Sequence, residues 1–196
     1  SLHSQTFFDG LVGHPECFTY MAMLPFATVN ELDDWAEKQI RQDRSRALYA
    51  MLDKTRSNRV AGIIGILNTV PENLSTEIGL LFTLPAFQRT HVTRTAVGLL
   101  MRFCFDELRL RRVQWRADPA NAASIRVAEY MGFQREGIRR WDYVASSGVP
   151  GHAARKIDPM PDCNGLHVLY FAICWDDWEG EWGKKVGGML ESSQRG

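Results

Sequence analysis

The sequence carries no excess charge of either sign. Its 196 residues contain 23 Lys and Arg against 23 Asp and Glu, so the formal net charge at neutral pH is zero. A protein that binds nucleic acid or an anionic membrane through a broad surface needs a surplus of positive charge. The composition therefore argues against both partners. Any anion site must be local, built from backbone amides and a few arginines.

Metal motifs and long apolar runs are also missing. The four cysteines form no Cys-x-x-Cys pair, and no Cys/His cluster has zinc spacing, so we expect no metal. Cys104 and Cys174 lie in apolar runs and are expected to be buried thiols. There is no signal-peptide pattern, and no apolar stretch approaches the ~20 residues that a membrane helix needs. These features predict a cytoplasmic protein that has no membrane partner.

The patterns that are present predict one α+β domain with a mixed, mostly antiparallel sheet. Three alternating segments separated by turn residues predict an antiparallel meander, followed by helix, strand, helix and two strands. Apolar content of 45% and charged content of 23% are typical of a globular protein. The expected parts of the single domain 1–196 are helices over 1–45, the sheet and two helices over 46–144, a mobile Gly/Pro-rich loop over 145–166, and a C-terminal helix over 175–190.

The junction "FQRTHVTRTA", residues 87–96, joins an apolar strand to an amphipathic helix and contains no glycine. A helix N-terminus leaves its first amides unpaired and carries partial positive charge, which suits a phosphate. Arg89 and Arg94 flank the junction and can add charge-assisted hydrogen bonds. The alternative is an ordinary turn, because many strand-to-helix turns carry arginine and bind nothing.

The run "RRVQWRADPANAASIRVAEYMGFQREG", residues 111–137, resembles the second half of the GNAT acyltransferase family, and its RimJ/RimL-like branch in particular. Upstream, "TEIGLLFTLPAFQ" is similar to the family's fourth strand, and the resemblance covers residues 46–173. The positions in register are Asn121, Ser124, Arg126, Glu129, Gly132, Phe133, Glu136 and Gly137.

The resemblance implies a sheet that splays between the family's fourth and fifth strands and binds acetyl-CoA (CoA) in the gap. The family pattern Q/R-x-x-G-x-G/A, which wraps the diphosphate, falls here on residues 88–93, with His91 and Thr93 at the glycine positions. The implied cofactor-binding residues are Leu81, Phe82, Thr83, Gln88, Arg89, Thr90, His91, Val92, Thr93, Arg94, Asn121, Ser124 and Arg126.

Loss of both glycines need not abolish binding. The donors are backbone N–H groups, and glycine is required only where φ is positive or where a side chain would strike the phosphate. We expect Thr93 to cap the helix and His91, if right-handed or extended, to donate to a phosphate oxygen. The loop is similar to that of fungal-type members, which indicates a subfamily variant.

The resemblance also suggests catalytic residues. The family's tyrosine proton donor is replaced here by Ala128, so Ser124 is the candidate donor; the alternative is that Ser124 only completes a helix cap. Glu77 on the fourth family strand is the first candidate for general base, against the alternative of a solvated residue on an open face. His167 is the second candidate, against an exposed strand-end histidine.

Aromatic residues suggest where an acceptor would bind. Tyr20, Phe26 and Trp141 are the candidates for the acceptor pocket, with Asp142 and Tyr143 as weaker ones. The implied acceptor is a small-molecule amine or a peptide N-terminus. The alternative function is a non-catalytic GNAT-like CoA-binding or interaction module. Family members usually begin with a strand that this sequence does not show, and an open sheet edge would favour a homodimer.

Overall fold

The computed structural model describes residues 2–194, which build a six-stranded sheet with helices packed against it. The strands lie in the order β1-β2-β3-β4-β6-β5, and every neighbouring pair is antiparallel except β3 and β4. The predicted α+β class and mostly antiparallel sheet are therefore confirmed. The strands are β1 Ala47–Asp53, β2 Arg59–Val70, β3 Ser75–Thr83, β4 Arg112–Ala117, β5 Gln134–Val144 and β6 Gly165–Cys174.

The helices fill the connections that the hydrophobic periodicity predicted. In α2 the Thr28 hydroxyl accepts from the Glu31 amide, as expected of an N-cap residue. A π-helical turn, Trp178–Trp182, joins the last two helices into one segment that extends beyond residue 190. The helices are α1 Ser4–Leu11, α2 Val29–Ala36, α3 Val92–Arg102, α4 Ala122–Tyr130, α5 Trp175–Asp177 and α6 Gly183–Gln194.

Strands β3 and β4 separate soon after they meet. Their pairing is limited to Ser75–Glu77 against Arg112–Gln114. Beyond that point β3 continues to Thr83, while β4 keeps its pairing with β6 as far as Ala117. The predicted splay is confirmed, and it leaves one edge of β3 open to a gap that narrows toward Glu77.

A β-bulge bends β3 alongside this gap. Gly65 pairs with Gly79 and Ile63 with Phe82, so β3 has one residue more than β2 in this interval. Leu80 takes a left-handed conformation with φ 47°, which is uncommon for a residue with a side chain. The simple alternation of side chains between the two faces of β3 is therefore interrupted at Leu80.

The hydrophobic core joins the N-terminal helices, β3 and the C-terminal segment. Phe82 lies edge-on to Phe7 at 6.1 Å between ring centroids. Cys104 is fully buried, and burial raises the pKa of its thiol to about 12. Cys174, expected to be buried as well, is only half-buried. Trp178 stacks on Phe105 at 5.0 Å and donates to Asp106, which fixes the C-terminal segment.

Residues 145–164 connect β5 to β6 without a helix or strand of their own. Ala145 and Val149 are buried, and Asn164 Nδ2 donates to the Val149 carbonyl at 2.9 Å. The Ser146 amide also donates to the Ala22 carbonyl, which ties the connection to the N-terminal region. Of the helices within residues 2–194, none is long and apolar enough to cross a bilayer.

The end of α4 provides a test of the C-terminal packing. A β-carbon at Gly132 would lie 2.3 Å from a ring atom of Trp182, and Gly132 has φ +91°. We expect Gly132→Ala to lower the free energy of unfolding by about 1–3 kcal/mol, measured by urea denaturation. Gly188→Ala is the control, because its β-carbon would meet nothing within 4 Å. It should raise stability by about 0.5–1 kcal/mol, and equal effects of the two changes would contradict this packing.

Candidate functional site

The start of α3 presents a group of unpaired amides. The hydroxyl of Thr90 donates to the Phe87 carbonyl at 2.6 Å and accepts from the Val92 amide at 3.3 Å, which fixes the entry to the helix. In the chain as the structure describes it, five other amides here donate to no protein acceptor. Such a cluster at a helix N-terminus is suited to an anion. The five belong to Arg89, Thr90, His91, Thr93 and Arg94.

Backbone angles explain why this loop needs no glycine at the two family positions. His91 is right-handed, with φ −66° and ψ −24°, and Thr93 lies inside α3. The left-handed residue of the loop is instead Arg89, with φ 60°. The left-handed conformation for which glycine is usually chosen thus lies outside the two family glycine positions in this loop.

The side chains at the two glycine positions are held by other parts of the fold. His91 Nε2 lies 3.5 Å from Asp53 Oδ1 on β1, on the side of β3 away from the gap. The Thr93 and Thr83 hydroxyls are 2.8 Å apart, which ties α3 to the end of β3. Two expectations change: the His91 ring turns toward Asp53, and Thr93 lies inside the helix rather than at its cap.

The pKa of Asp53 lies below its ordinary value, so its carboxylate is ionised beside the loop. Burial by itself would raise its pKa, but hydrogen bonds from Thr55 and the nearby His91 and Arg56 lower it overall. The His91 ring thus lies against an ionised carboxylate, and the amide of His91 stays available.

Glu77 lies at the last residue pair before the gap opens, and it is buried. Its side chain keeps 7% of its surface exposed, so the alternative of a solvated residue is wrong. Oε2 accepts from Asn68 Nδ2 at 2.9 Å and lies 2.6 Å from Arg116 Nε. The Nε–H bond is not well aimed at Oε2, so this contact is chiefly an ion pair. Within residues 2–194, no donor reaches Oε1.

Arg116 connects Glu77 to a second buried carboxylate. Its Nη1 lies 3.8 Å from Asp142 Oδ2, and that oxygen accepts from the Tyr170 hydroxyl at 2.7 Å. Burial lowers the pKa of Arg116, but the charge of Glu77 and its contact outweigh burial and raise it overall. Arg139 closes the cluster, with Nε 3.0 Å from Asp142 Oδ1 and Nη1 donating to Tyr170.

Two tyrosines complete this buried charge cluster. The guanidinium of Arg116 lies over the ring of Tyr143 at 5.0 Å and near that of Tyr170 at 5.7 Å. Burial is the main cause that raises the pKa of both phenols, so both stay neutral and protonated at physiological pH. The Tyr170 hydroxyl is used by Asp142, whereas the residues described supply no partner for that of Tyr143.

A local irregularity in β5 places Asp142 inside the sheet. The pairing with β6 shifts register between Arg139 and Tyr143, and Trp141 is left-handed with φ 57°. The Asp142 side chain is 3% exposed, although most of β5 is open to solvent. A strained backbone that turns a carboxylate inward is a feature often found at functional sites.

On the other side of the gap, the first turn of α4 carries the predicted donor. The Asn121 side chain caps the helix by accepting from the Ser124 amide at 3.0 Å. The Ser124 hydroxyl accepts from Trp115 Nε1 at 2.9 Å, which fixes its oxygen and leaves its proton free to donate. Arg126 of the same helix is exposed.

The ends of the two helices beside the gap contact each other. Arg94 of α3 lies over the ring of Tyr130 of α4 at 5.1 Å. The predicted strand residues Leu81, Phe82 and Thr83 line the free edge of β3. The Phe82 side chain is buried toward the N-terminal helices, so its backbone alone faces the gap.

His167 lies apart from the charge cluster. By strand alternation it shares the face of Leu169 rather than that of Tyr170. Its Nδ1 accepts from the Trp141 amide at 3.1 Å, and its ring stacks on His152 at 3.8 Å. These contacts join the long connection to the sheet through His167.

The predicted acceptor residues do not form one group. Phe26 packs between Phe18 and Trp35, at 5.8 and 5.5 Å between ring centroids, as part of an aromatic cluster. Tyr20 and Trp141 are 43% and 57% exposed, which leaves both free to contact a ligand.

Sequence reasoning missed Arg116, the central residue of the charge cluster. Alternation in β4 places it on the same face as Arg112 and Gln114 and opposite the core residue Trp115.

A possible cation cluster at the start of α5 has a simpler explanation. Ligand atoms of Cys174, Asp176 and Asp177 lie within 4.8 Å of one another. The Asp177 carboxylate accepts from the Cys174 amide and from Gln134 Nε2. These hydrogen bonds account for the cluster as a helix cap, and we assign no metal to it.

Comparison with known proteins identifies one matching family model and many solved structures with a similar fold. A model described as an acetyltransferase (GNAT) domain matches residues 2–134. The probable N-acetyltransferase YjcK of Bacillus subtilis (strain 168) is 28% identical over 104 residues, which span 53% of this chain and 58% of that protein. A GCN5-related N-acetyltransferase from Brucella melitensis superposes with a TM-score of 0.77 at 24% identity, covering 99% of this chain and 77% of the other. The spermidine N-acetyltransferase from Vibrio cholerae in complex with CoA and spermine gives a TM-score of 0.68 at 14% identity, covering 92% and 94%.

The positions of the left-handed and right-handed residues in the loop lead to a stability test. Arg89→Gly should leave the free energy of unfolding unchanged or raise it by up to about 1 kcal/mol, because glycine relieves the left-handed strain. Thr93→Gly should lower it by about 1 kcal/mol or more, since the helix gains a glycine and the hydrogen bond to Thr83 is lost. Thr93→Ala, measured in the same urea titration, separates the two causes. A Thr93→Gly protein more stable than the wild type would contradict these loop angles.

Proposed function

The chain belongs to the GNAT acetyltransferase family, and on that premise we propose that it is an N-acetyltransferase that acts on a primary amine by direct transfer from acetyl-CoA. One observation carries the proposal: the gap between β3 and β4 has unpaired amides at one end and a buried carboxylate, Glu77, at the other. We also assign the chain to the RimJ/RimL-like branch, supported by the run of matching residues at 111–137.

The residues beside the gap fit the cofactor that the family uses. The five unpaired amides at the start of α3 suit a diphosphate, with the arginines Arg89 and Arg94 beside them. The free edge of β3, from Ile78 to Thr83, offers backbone groups to an extended amide-containing chain, in the manner of an added strand. When bound, acetyl-CoA supplies an acetyl group activated as a thioester.

The residues of the chain then provide the proton transfers. Glu77 Oε1, the oxygen without a protein donor, accepts a proton from the acceptor ammonium through a water molecule. The Ser124 hydroxyl, held by Trp115, would donate its proton to the leaving thiolate and take up the proton that the amine nitrogen loses as the amide forms. Amides on the free edge of β3 stabilise the negative charge that develops on the carbonyl oxygen.

The charge cluster bears on the choice of acceptor. Glu77 and Asp142 already have arginine partners, so the cluster has no surplus negative charge to hold several ammonium groups. The solved Vibrio cholerae structure contains spermine, but this balance favours an acceptor with a single amine, either a peptide N-terminus or a small molecule. The half-exposed ring of Tyr143 beside Glu77 adds an apolar contact for its carbon skeleton.

Two further properties belong to this proposal. The four cysteines are all free thiols, which suits the reducing conditions of the cytoplasm. The sheet has open edges at β1 and β5, and β5 is exposed on both faces. Two copies of the chain could form a homodimer by pairing along such an edge.

The second candidate function is a non-catalytic CoA-binding or interaction module. It is favoured by the buried Ala128 at the position of the family's tyrosine. The two candidates differ in one measurement: a module binds acetyl-CoA without releasing free CoA thiol in the presence of any amine.

Cofactor binding can be tested at a single amide. His91→Pro removes the His91 amide at a residue whose φ of −66° already suits proline. Loss of a charge-assisted hydrogen bond worth about 1.5–3 kcal/mol should weaken acetyl-CoA binding roughly 10- to 100-fold in calorimetry. His91→Ala keeps the amide and should bind within about threefold of the wild type. If both variants lost affinity equally, the imidazole rather than the amide would be the contact. If the wild type did not bind, the cofactor assignment would fail.

Catalysis can be tested by following the release of CoA thiol across a panel of monoamines, polyamines and peptides. We expect turnover with monoamines or peptide N-termini, and Glu77→Gln should lower kcat by about 10²–10⁴. The acetyl-CoA affinity of the variant should be unchanged, since Glu77 lies at the end of the gap opposite the amides that are proposed to bind the diphosphate. Thiol release that persisted in Glu77→Gln would remove Glu77 as the base. Binding without any release would favour the non-catalytic module.

A further inference from the structure

We propose that Arg116 is a positioning residue for the reaction: it fixes the Glu77 carboxylate at the floor of the gap and couples it to Asp142 on the far edge of the sheet. The inference rests on the proposed function, in which Glu77 is the base. Arg116 itself is not assigned any contact with substrate.

The contacts form a chain that crosses four strands. Glu77 belongs to β3, Arg116 to β4, Tyr170 to β6 and Asp142 to β5. The successive contacts are Glu77 Oε2 to Arg116 Nε at 2.6 Å, Arg116 Nη1 to the Tyr170 oxygen at 3.4 Å, and Tyr170 to Asp142 Oδ2 at 2.7 Å. Thus side chains connect the base to the edge strand, although the backbone pairing of β3 and β4 ends at Glu77 and Gln114.

Burial makes these contacts depend on one another. The exposed fractions of the three charged side chains are 7% for Glu77, 16% for Arg116 and 3% for Asp142. A charge removed from water to this degree must be compensated by partners, and loss of one partner leaves the others uncompensated. Arg116 is the shared member, because it is the cation that contacts both carboxylates.

The two oxygens of the Glu77 carboxylate have different surroundings. Oε2 is occupied by Asn68 and Arg116, while Oε1 is left without a protein donor. Gly79 leaves room for Oε1, since a β-carbon at that position would lie 3.0 Å from it. By holding Oε2, Arg116 sets the direction in which Oε1 can receive a proton.

The irregular segment of β5 points to the same role. Asp142 is turned inward by a register shift next to the left-handed Trp141, an arrangement with a conformational cost. Arg139 and Tyr170 then satisfy Asp142 with further contacts. A sheet that needed only stability would not require a buried carboxylate here, and the second negative charge keeps Arg116 in place between two anions.

The groups that face the Glu77 carboxylate set the expected pH response. They are the amide of Asn68, the guanidinium of Arg116 and the phenols of Tyr143 and Tyr170, with the Asp142–Arg139 pair behind them. Arg116 is the cation in direct contact with the carboxylate. Its removal favours the protonated form of Glu77, so that activity which needs the ionised form is lost at a higher pH.

The test compares Arg116→Met and Arg116→Lys with the wild type in the pH profile of kcat/KM. Arg116→Met should lower kcat at least tenfold, while KM for acetyl-CoA stays within about twofold. The fall of kcat/KM at low pH, the acid limb of the profile, should move to higher pH. Arg116→Lys keeps the charge without the planar fork, so it should restore the acid limb but only part of kcat. A purely structural role would lower the amount of folded protein without moving the acid limb.

The control arginine lies on the same strand and face. Arg112 pairs with Glu136 in an exposed ion pair, so Arg112→Lys should leave kcat and the pH profile unchanged. Tyr170→Phe is the second variant, because it removes the hydroxyl between Arg116 and Asp142 while keeping the ring. It should lower kcat less than Arg116→Met does, without changing KM for acetyl-CoA.

A measurement without turnover separates the inference from the proposed function. The carboxyl carbon of Glu77 in ¹³C-glutamate-labelled protein, assigned through Glu77→Gln, can be titrated by NMR. Its midpoint should lie at a higher pH in Arg116→Met than in the wild type and be restored in Arg116→Lys. An unchanged midpoint in Arg116→Met would overturn the inference even in an active enzyme. A shifted midpoint in a protein that releases no thiol would uphold the role of Arg116 and overturn only acetyl transfer.

Discussion

The early separation of two parallel strands is the constraint on which the site depends. β3 and β4 share only three residue pairs, so the rest of β3 has a free edge in the middle of the sheet rather than at its border. Unpaired backbone groups inside a fold are costly unless a ligand or water satisfies them. The bulge at Leu80 follows within three residues of the last β3–β4 pair and bends β3 beside the gap.

The buried charge cluster replaces the backbone pairing that the separation removes. Where β3 and β4 no longer share a ladder, the Glu77–Arg116 contact joins them through side chains, and Tyr170 and Asp142 extend the connection to β5. Buried ion pairs usually contribute little net stability, because the cost of desolvation offsets the attraction. Their presence here is better explained by geometry: several buried contacts that share Arg116 keep a single arrangement of the carboxylate.

Much of the fold follows from local patterns, whereas the site follows only in part. Alternation and turn residues predict the strands β5 and β6. The four-residue spacing of Trp178, Trp182, Val186 and Leu190 predicts a packed helix face, of which Trp182 is only half-buried. The resemblance of residues 76–88 to the family's fourth strand suggests a carboxylate, Glu77, beside the gap. The sequence does not identify the partners of the Glu77 carboxylate, because Arg116 contacts Glu77 only through the pairing of strands that are distant in sequence.

Backbone irregularities were the least predictable features, and they decide the direction of functional groups. A bulge depends on the register between two strands, and one extra residue at Leu80 shifts every following side chain to the other face. The inward turn of Asp142 beside the left-handed Trp141 has the same origin. The cap at the start of α4, mentioned above as the alternative role of Ser124, is by contrast a local interaction, in which Asn121 Oδ1 accepts from the Ser124 amide.

The loop before α3 shows why a motif should be interpreted through backbone angles rather than letters. A pattern of glycines records two requirements, a permitted φ and space for a ligand, and a chain can meet each of them separately. Here the left-handed angle lies at Arg89, whereas His91 is right-handed and directs its ring to Asp53. The amides that a diphosphate would need are thus kept although both family glycines are absent. The absence of those glycines is therefore weak evidence against cofactor binding, since the property that they usually provide belongs to the backbone.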